Sequence, residues 1–348
     1  MRPTRRRLLL GLAGLAAFTA CDDPRDEGTP TIAYVVPDTA SNFSVEMGLG
    51  YQAGAARVAG VQSSVSGPEV VDGPRQVQQF QALTDNRIDG ISVTTLSPEL
   101  FARPMAEAAK AGVQLIAVGV RPAPASGVPL LVSNDNYELG RMLADEIIRR
   151  LPTDTTGTVV LGTIAPGVPT MDFRTQGMRD RFTEKLPKIT VTGPYDTAQD
   201  VPANRAAWAR LATANPDALA FIGNGDPDAY NLASVRTELN GTWLSGAFDL
   251  DAQTLTAIRD GHLTAVVSPE HYLKSAVAAW IQAEHALSGE SLPEGWVYIP
   301  GLPVSAENVE SIIIRQASAE ARAQQLGAQV EAIKAGLPAG IRPMTDAR

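Results

Sequence analysis

Three residues combine a charged side chain with a position where such chemistry could be used. Arg174 falls at the start of a helical stretch, Asp172 to Leu186. A cation in a first turn opposes the helix dipole. It therefore reads either as a functional group or as a solvated surface arginine. Asp226 precedes Pro227, and Asp249 ends the apolar run Trp243–Phe248. Each could bind a polar ligand, or could simply cap the helix that follows. The three histidines, His262, His271 and His285, are scattered and read as surface or packing residues. No Gly-x-Ser-x-Gly elbow, Walker loop or metal-spaced histidine pair occurs. Asp249-Leu250-Asp251 lacks the rest of a calcium loop. With one cysteine and three histidines, neither a metal site nor a cofactor is expected. Paired carboxylates for glycoside cleavage stay open, because they depend on geometry.

The elements that must hold these residues alternate. Thr31–Val36, Val61–Val65, Ile88–Thr94, Val113–Val120 and Leu130–Val132 read as strands. Val45–Ala59, Arg75–Asn86 and Pro98–Ala111 read as the helices between them. Such βα alternation predicts a parallel, doubly wound sheet with ligands beyond the carboxyl ends of its strands. The loops to watch are Asp38–Ser44, Thr94–Ser97 and Gly119–Arg121. Leu130 to Gly140 then runs from a buried strand into a helix, with Asp135 at the N-cap position. A second alternation of similar size follows, to about residue 268. Leu130–Gly140 reads as the first of three crossings between two lobes, or as an ordinary turn within one large sheet. Ser268-Pro269-Glu270 and Trp296–Pro303 read as the second and third crossings. Leu273–Leu287 is assigned back to the first lobe, and Ala306–Ile314 to the second. Ala319–Ala335 is an extra helix with Leu326, Val330 and Ile333 on one face.

A chain of 348 residues suits two domains. Its net charge is −9; residues 1–20 hold four arginines and no acid, so the remainder carries 25 basic against 38 acidic residues, or −13. That balance argues against nucleic acid or an anionic membrane surface as the main partner. Arg5-Arg6-Arg7 precedes an apolar run of 13, Leu8–Ala20. The run is too short for a bilayer span of about 20 residues and fits an export signal. Phe18-Thr19-Ala20-Cys21 resembles a bacterial lipobox, and Thr4–Leu9 resembles a twin-arginine motif. The expectation is a signal peptide over 1–20, lipidation at Cys21 and a tether over 21–30. Diacylation would make a stable membrane anchor.

Taken in order, the chain resembles the ribose/galactose-type periplasmic solute-binding proteins of ABC importers, over most of residues 31–315. Thr31–Val36 followed by Asn42-Phe43 is similar to the family's first strand and ligand loop. Asp135-Asn136 with Gly140 is similar to its first hinge, and Arg174-Thr175-Gln176-Gly177 to its Arg-x-x-Gly element. Asn215–Ala218 before Asn224-Gly225-Asp226, and Gly246-Ala247-Phe248-Asp249, resemble its later strands and ligand loops. The resemblance implies an α/β fold of two flavodoxin-like lobes joined by a three-segment hinge. The implied limits are 31–134 plus 269–300, and 135–268 plus 301–316, with 317–348 as a helical extension. It also implies capture of a sugar or polyol by hinge closure, delivery to an importer permease, and no enzymatic activity. A monomer is expected. A sensor presenting a sugar or autoinducer to a membrane receptor is the second reading, and a carbohydrate-active enzyme the third.

By the same resemblance Phe43 would stack on the ligand, while Arg174, Asp226 and Asp249 would bind its hydroxyls. Asn42, Thr94 and Asn224 lie in the corresponding loops. The chain departs from the family pattern elsewhere. Gly119-Val120-Arg121 lacks the acid of an Asp-Arg pair, and Pro269 next to Glu270 replaces an amide. Ser44 replaces a second aromatic, which Phe173 could return, and Asp38 could supply an acid. These changes argue against a standard D-ribose site. Gly67-Pro68 and Ser97-Pro98 are similar to the autoinducer-2 and rhamnose branch.

Overall fold

The computed structural model describes residues 28–86 and 88–348. The expected signal peptide and Cys21 lie outside them. Strands buried on both faces of a parallel sheet must be apolar almost throughout, and the first strand, β1 (Thr31–Val35), is. It is followed by α1 (Asn42–Ala55), β2 (Gln62–Ser66), α2 (Gly73–Asp85), β3 (Gly90–Val93), α3 (Pro98–Lys110), β4 (Gln114–Val118) and β5 (Leu130–Ser133). The chain then enters α4 (Asn136–Ile148), β6 (Gly157–Thr163), α5 (Pro169–Lys185), β7 (Ile189–Asp196), α6 (Val201–Ala214) and β8 (Ala220–Ile222). Next come α7 (Asp226–Glu238), β9 (Leu244–Phe248), α8 (Ala252–Arg259) and β10 (Ala265–Ser268). Last are α9 (His271–Ser288), β11 (Gly295–Tyr298), β12 (Leu302–Ser305), α10 (Val309–Gln316), α11 (Ala319–Ala335) and β13 (Ile341–Arg342).

Two sheets result. One has the order β13-β11-β5-β4-β3-β1-β2 and the other β12-β10-β9-β8-β6-β7. All pairings are parallel except those of the edge strands β13 and β12. The strand order reverses at β1, which pairs with β2 and β3, and at β6, which pairs with β7 and β8. A doubly wound sheet opens a crevice at such a point, beyond the strands' carboxyl ends. The two lobes are thus the doubly wound, flavodoxin-like sheets that the sequence predicts. Each sheet is covered on both faces by its own apolar clusters.

The chain passes between the sheets four times: at the three expected crossings, after β5, after β10 and between β11 and β12, and once more between β12 and β13 as the C-terminal extension returns to the first sheet. Asp135 caps α4, accepting from the Glu138 amide at 3.1 Å. Close helix contacts fix the geometry near these passages. A Cβ on Gly140 of α4 would lie 2.0 Å from the Arg174 carbonyl of α5, and one on Gly177 would lie 2.0 Å from the Tyr137 carbonyl. Only glycines let the two backbones approach so closely.

Two helices begin earlier than their sequence suggests. α1 starts at Asn42, so Asn42 and Phe43 lie in a helical first turn. α5 starts at Pro169, whose fixed φ suits a first helical position. Arg174 therefore sits in the second turn, so the dipole argument does not apply to it. The extension folds back on the first lobe. Leu326 and Val330 of α11 join the core cluster that contains α1 and α9 residues. β13 adds to β11, and Ala347 enters the cluster on the opposite face.

Candidate functional site

The facing carboxyl ends of the two sheets enclose a cavity of about 730 Å³, within the usual range for small-ligand sites. Asp38, Asn42, Phe43 and Thr94 line it from the first lobe, and Arg174, Asp226 and Asp249 from the second. His271 and Lys274 of α9 line it as well.

The second-lobe side is built from buried charge. Arg174 Nε donates to Asn136 Oδ1 at 3.1 Å, and Nη1 to the Asn224 carbonyl at 2.9 Å. Its guanidinium lies 4.3 Å from the centre of the Phe248 ring. Burial pushes its pKa down to about 10, opposed by Asp249. Asp226 is the first residue of α7. The neighbouring Asp228, not Asp226, satisfies the helix start, accepting from the amides of Asn224 and Gly225 at 3.0 Å each. Asp226 Oδ1 is buried without a hydrogen-bond partner among the described residues. Burial raises its carboxyl well above the usual range, and Asp249 and Asp251 raise it further.

Asp249 has left-handed backbone, φ 76°, unusual for a residue with a side chain though most tolerated by Asp and Asn. It does not cap α8: Asp251 does, accepting from Gln253 and Thr254 amides at 2.8 and 3.0 Å. An Asp249 oxygen instead lies 2.7 Å from His271 Nε2. Burial acts to raise Asp249, but His271, Arg174 and Lys274 outweigh it and hold the carboxyl low. Burial and Lys274 lower His271 despite Asp249. The pair is thus a neutral imidazole donating Nε2–H to a carboxylate, which leaves Nδ1 as an acceptor. That Nδ1 is buried and has no partner among the described residues. Phe43 stands beside the imidazole, with ring centres 5.7 Å apart.

Several expected residues serve the frame. Both Asp38 oxygens are taken by the Ala40 and Ser41 amides and the Ser41 and Ser44 hydroxyls. Thr94 Oγ1 lies between the Tyr34 hydroxyl, 2.6 Å, and the Val118 carbonyl, 2.8 Å. Asn224 does not line the cavity; its amide joins Thr163, Met171 and Thr175, and its carbonyl holds Arg174.

Four further expectations are corrected by position. Glu270 also stays out of the cavity, because Arg315 of α10 holds both its oxygens at 2.9 Å. Arg121 and Phe173 line a separate, adjoining cavity of about 120 Å³ beside Arg348. His271 is neither a surface nor a mere packing residue, and Lys274 went unremarked in the sequence. The available signal was their place just after the second crossing. Among the described residues no group of three or more His, Cys, Asp or Glu could hold a metal ion.

These lobes and the cleft between them define a periplasmic-binding-protein architecture. Residues 32–291 match the family described as "Periplasmic binding protein domain", and the chain belongs to that family. No curated protein sequence matches significantly. Among solved structures, the chain is similar to an ABC transporter solute-binding protein from Burkholderia graminis in complex with D-arabinose. The TM-score is 0.74 at 21% identity, covering 82% of this chain and 99% of that one. A periplasmic solute-binding protein from Actinobacillus succinogenes with bound D-allose gives 0.74 at 19%, covering 81% and 99%. A periplasmic ribose ABC transporter protein from Conexibacter woesei gives 0.72 at 21%, covering 82% and 95%.

Proposed function

We propose that the protein is an extracytoplasmic solute-binding protein that captures a sugar or sugar-like polyol between its lobes and delivers it to an ABC importer. The observation that carries this reading is the buried Asp226 carboxyl oxygen, without a partner among the described residues, facing a cleft that also holds Arg174 and Asp249. Such a group requires a hydrogen-bond partner that closure would bring in, and a ring of hydroxyls offers donors and acceptors together. Phe43 would cover an apolar ring face. Arabinose and allose in similar structures support this ligand class. The lobes divide at the expected limits in this reading, and residues 317–348 belong with the first lobe.

The anchor is part of the same proposal. Lipidation of Cys21 would tether the protein at the outer face of the membrane, so Cys21→Ser should release it from the membrane fraction. Continued membrane retention would argue against lipidation. The ligand class is tested by a thermal-shift screen of residues 31–348 against pentoses, hexoses, polyols and furanose signals, with calorimetry on hits. A ligand at 1,000 times its Kd stabilises by about 4 kcal/mol. No shift with any sugar or polyol would reject the reading.

A further inference from the structure

Lys274 lies on α9 directly after the second crossing and is 3% exposed. Its ammonium carries three N–H donors. One goes to Asn134 Oδ1 at 2.8 Å. Among the described residues no carboxylate comes within ion-pairing distance of its nitrogen: Asp249 pairs with His271, and Glu270 with Arg315. A buried cation with one neutral partner is costly, and this one lines the cleft. Its partner matters too. Asn134 stands at the first crossing and donates through Nδ2 to the Ile299 carbonyl at the third, at 2.8 Å. Lys274 thus connects the ligand cavity to the first and third crossings.

We propose that Lys274 is a ligand-binding residue that donates to an oxygen of the bound sugar and, through Asn134, ties occupancy of the cleft to the hinge. This rests on the sugar reading above. It adds a first-lobe donor opposite the second-lobe acceptors Asp226 and Asp249, so one polyol bridges both lobes.

The ammonium's surroundings give the proposal a pH signature. Burial, then Arg174, lowers Lys274 to about 7, against the pull of Asp249 and Glu270. Ligand oxygens favour the charged form and raise that value. Binding therefore takes up a proton above pH about 7, and affinity falls as pH rises, by at most about tenfold per unit. The other groups near this end of the cleft are His271 on α9, Glu46 on α1, and Asp226. Asp226, raised by burial and by Asp249, gives a slope of opposite sign, because a sugar hydroxyl donates to its ionised form, and His271 is lowered away from the alkaline limb. Burial raises Glu46 to about 7, with Arg322 opposing. It titrates in the same range as Lys274, so the variant is needed to separate them.

The test is calorimetry with D-arabinose, D-allose, D-fucose and D-ribose from pH 6 to 9.5, on the wild type and Lys274→Met. Buffers of different ionisation enthalpy report proton uptake. The wild type should take up a proton fraction at pH 8, with affinity declining above pH about 7. Lys274→Met should bind at least about tenfold more weakly at pH 7 and lose the alkaline decline. A variant that melts lower but keeps wild-type affinity and slope would overturn the proposal and leave Lys274 a strut. If the variant fails to fold, absence of proton uptake by the wild type at pH 8 overturns it equally. If no sugar binds the wild type, the sugar reading falls and this inference falls with it. Sugar binding without dependence on Lys274 rejects this inference alone.

Discussion

Arg174 shows how a single side chain is committed before any ligand arrives. Two of its nitrogens are fixed by Asn136 and Asn224, and Phe248 supports the guanidinium plane. What remains is an oriented, desolvated donor edge beside Asp249. Lysine could not reproduce this fork. Arg174→Ala and Asp249→Ala should each weaken sugar binding by about tenfold to a hundredfold in calorimetry. Far-ultraviolet dichroism should stay at wild type in both. Unchanged affinity in both would show that the cleft is read by other residues. Arg174 could be picked out in the sequence because Arg-x-x-Gly is a local pattern. Glu270 was picked out for the same kind of reason and is spent elsewhere. Its partner Arg315 lies 45 residues further on, and no local pattern announces a long-range ion pair.

At the scale of elements, the pair α4–α5 sets where Arg174 stands. Gly177→Ala would push a methyl into the Tyr137 carbonyl, 2.0 Å away, and the helices would have to separate. Overpacking of this kind costs about 1–3 kcal/mol. The same displacement would carry Arg174 away from Asn136. A lowered melting temperature together with weaker sugar binding is the expected outcome, and loss of stability alone would show that the helix pair does not position the site. The order of strands and helices was legible because most central strands are short apolar runs closed by a turn, whereas β2 and β7 are largely polar edge strands. Helix starts were less so. α5 gains a turn before Asp172 because Pro169 suits an N-terminus, while the residues there, Val168 to Met171, carry no helical periodicity. His271 and Lys274 were hidden for a related reason. α9 is buried around nearly its whole first half, so no polar stripe marks which residues meet the cleft.

At the scale of the molecule, the last thirty residues close the first lobe. β13 covers the β11 edge, α11 covers α1 and α9, and Ala347 fills the opposite core. An unprotected strand edge invites pairing with another chain. Arg348 also reaches Asp135 at the first crossing, at 3.1 Å, and stacks on Tyr137 at 4.3 Å. Removing residues 337–348 should lower the melting temperature by at least about 3 °C and promote self-association on heating. A melt and sedimentation profile identical to wild type would show that the segment is dispensable.

The passages between sheets also order events in time. The first lobe begins at Thr31 yet takes α9, β11 and β13 from residues 271–342. A chain emerging from the ribosome N-terminus first therefore presents five parallel strands with one edge open and one face covered only by α1. The second lobe, nearly contiguous, has all but β12 and α10 in hand by Ser268. The lobe made first is finished last. Until then its apolar sheet is exposed to the hazards that late, non-local pairing brings, so any helper that shields a nascent chain would have most to do at residues 31–133.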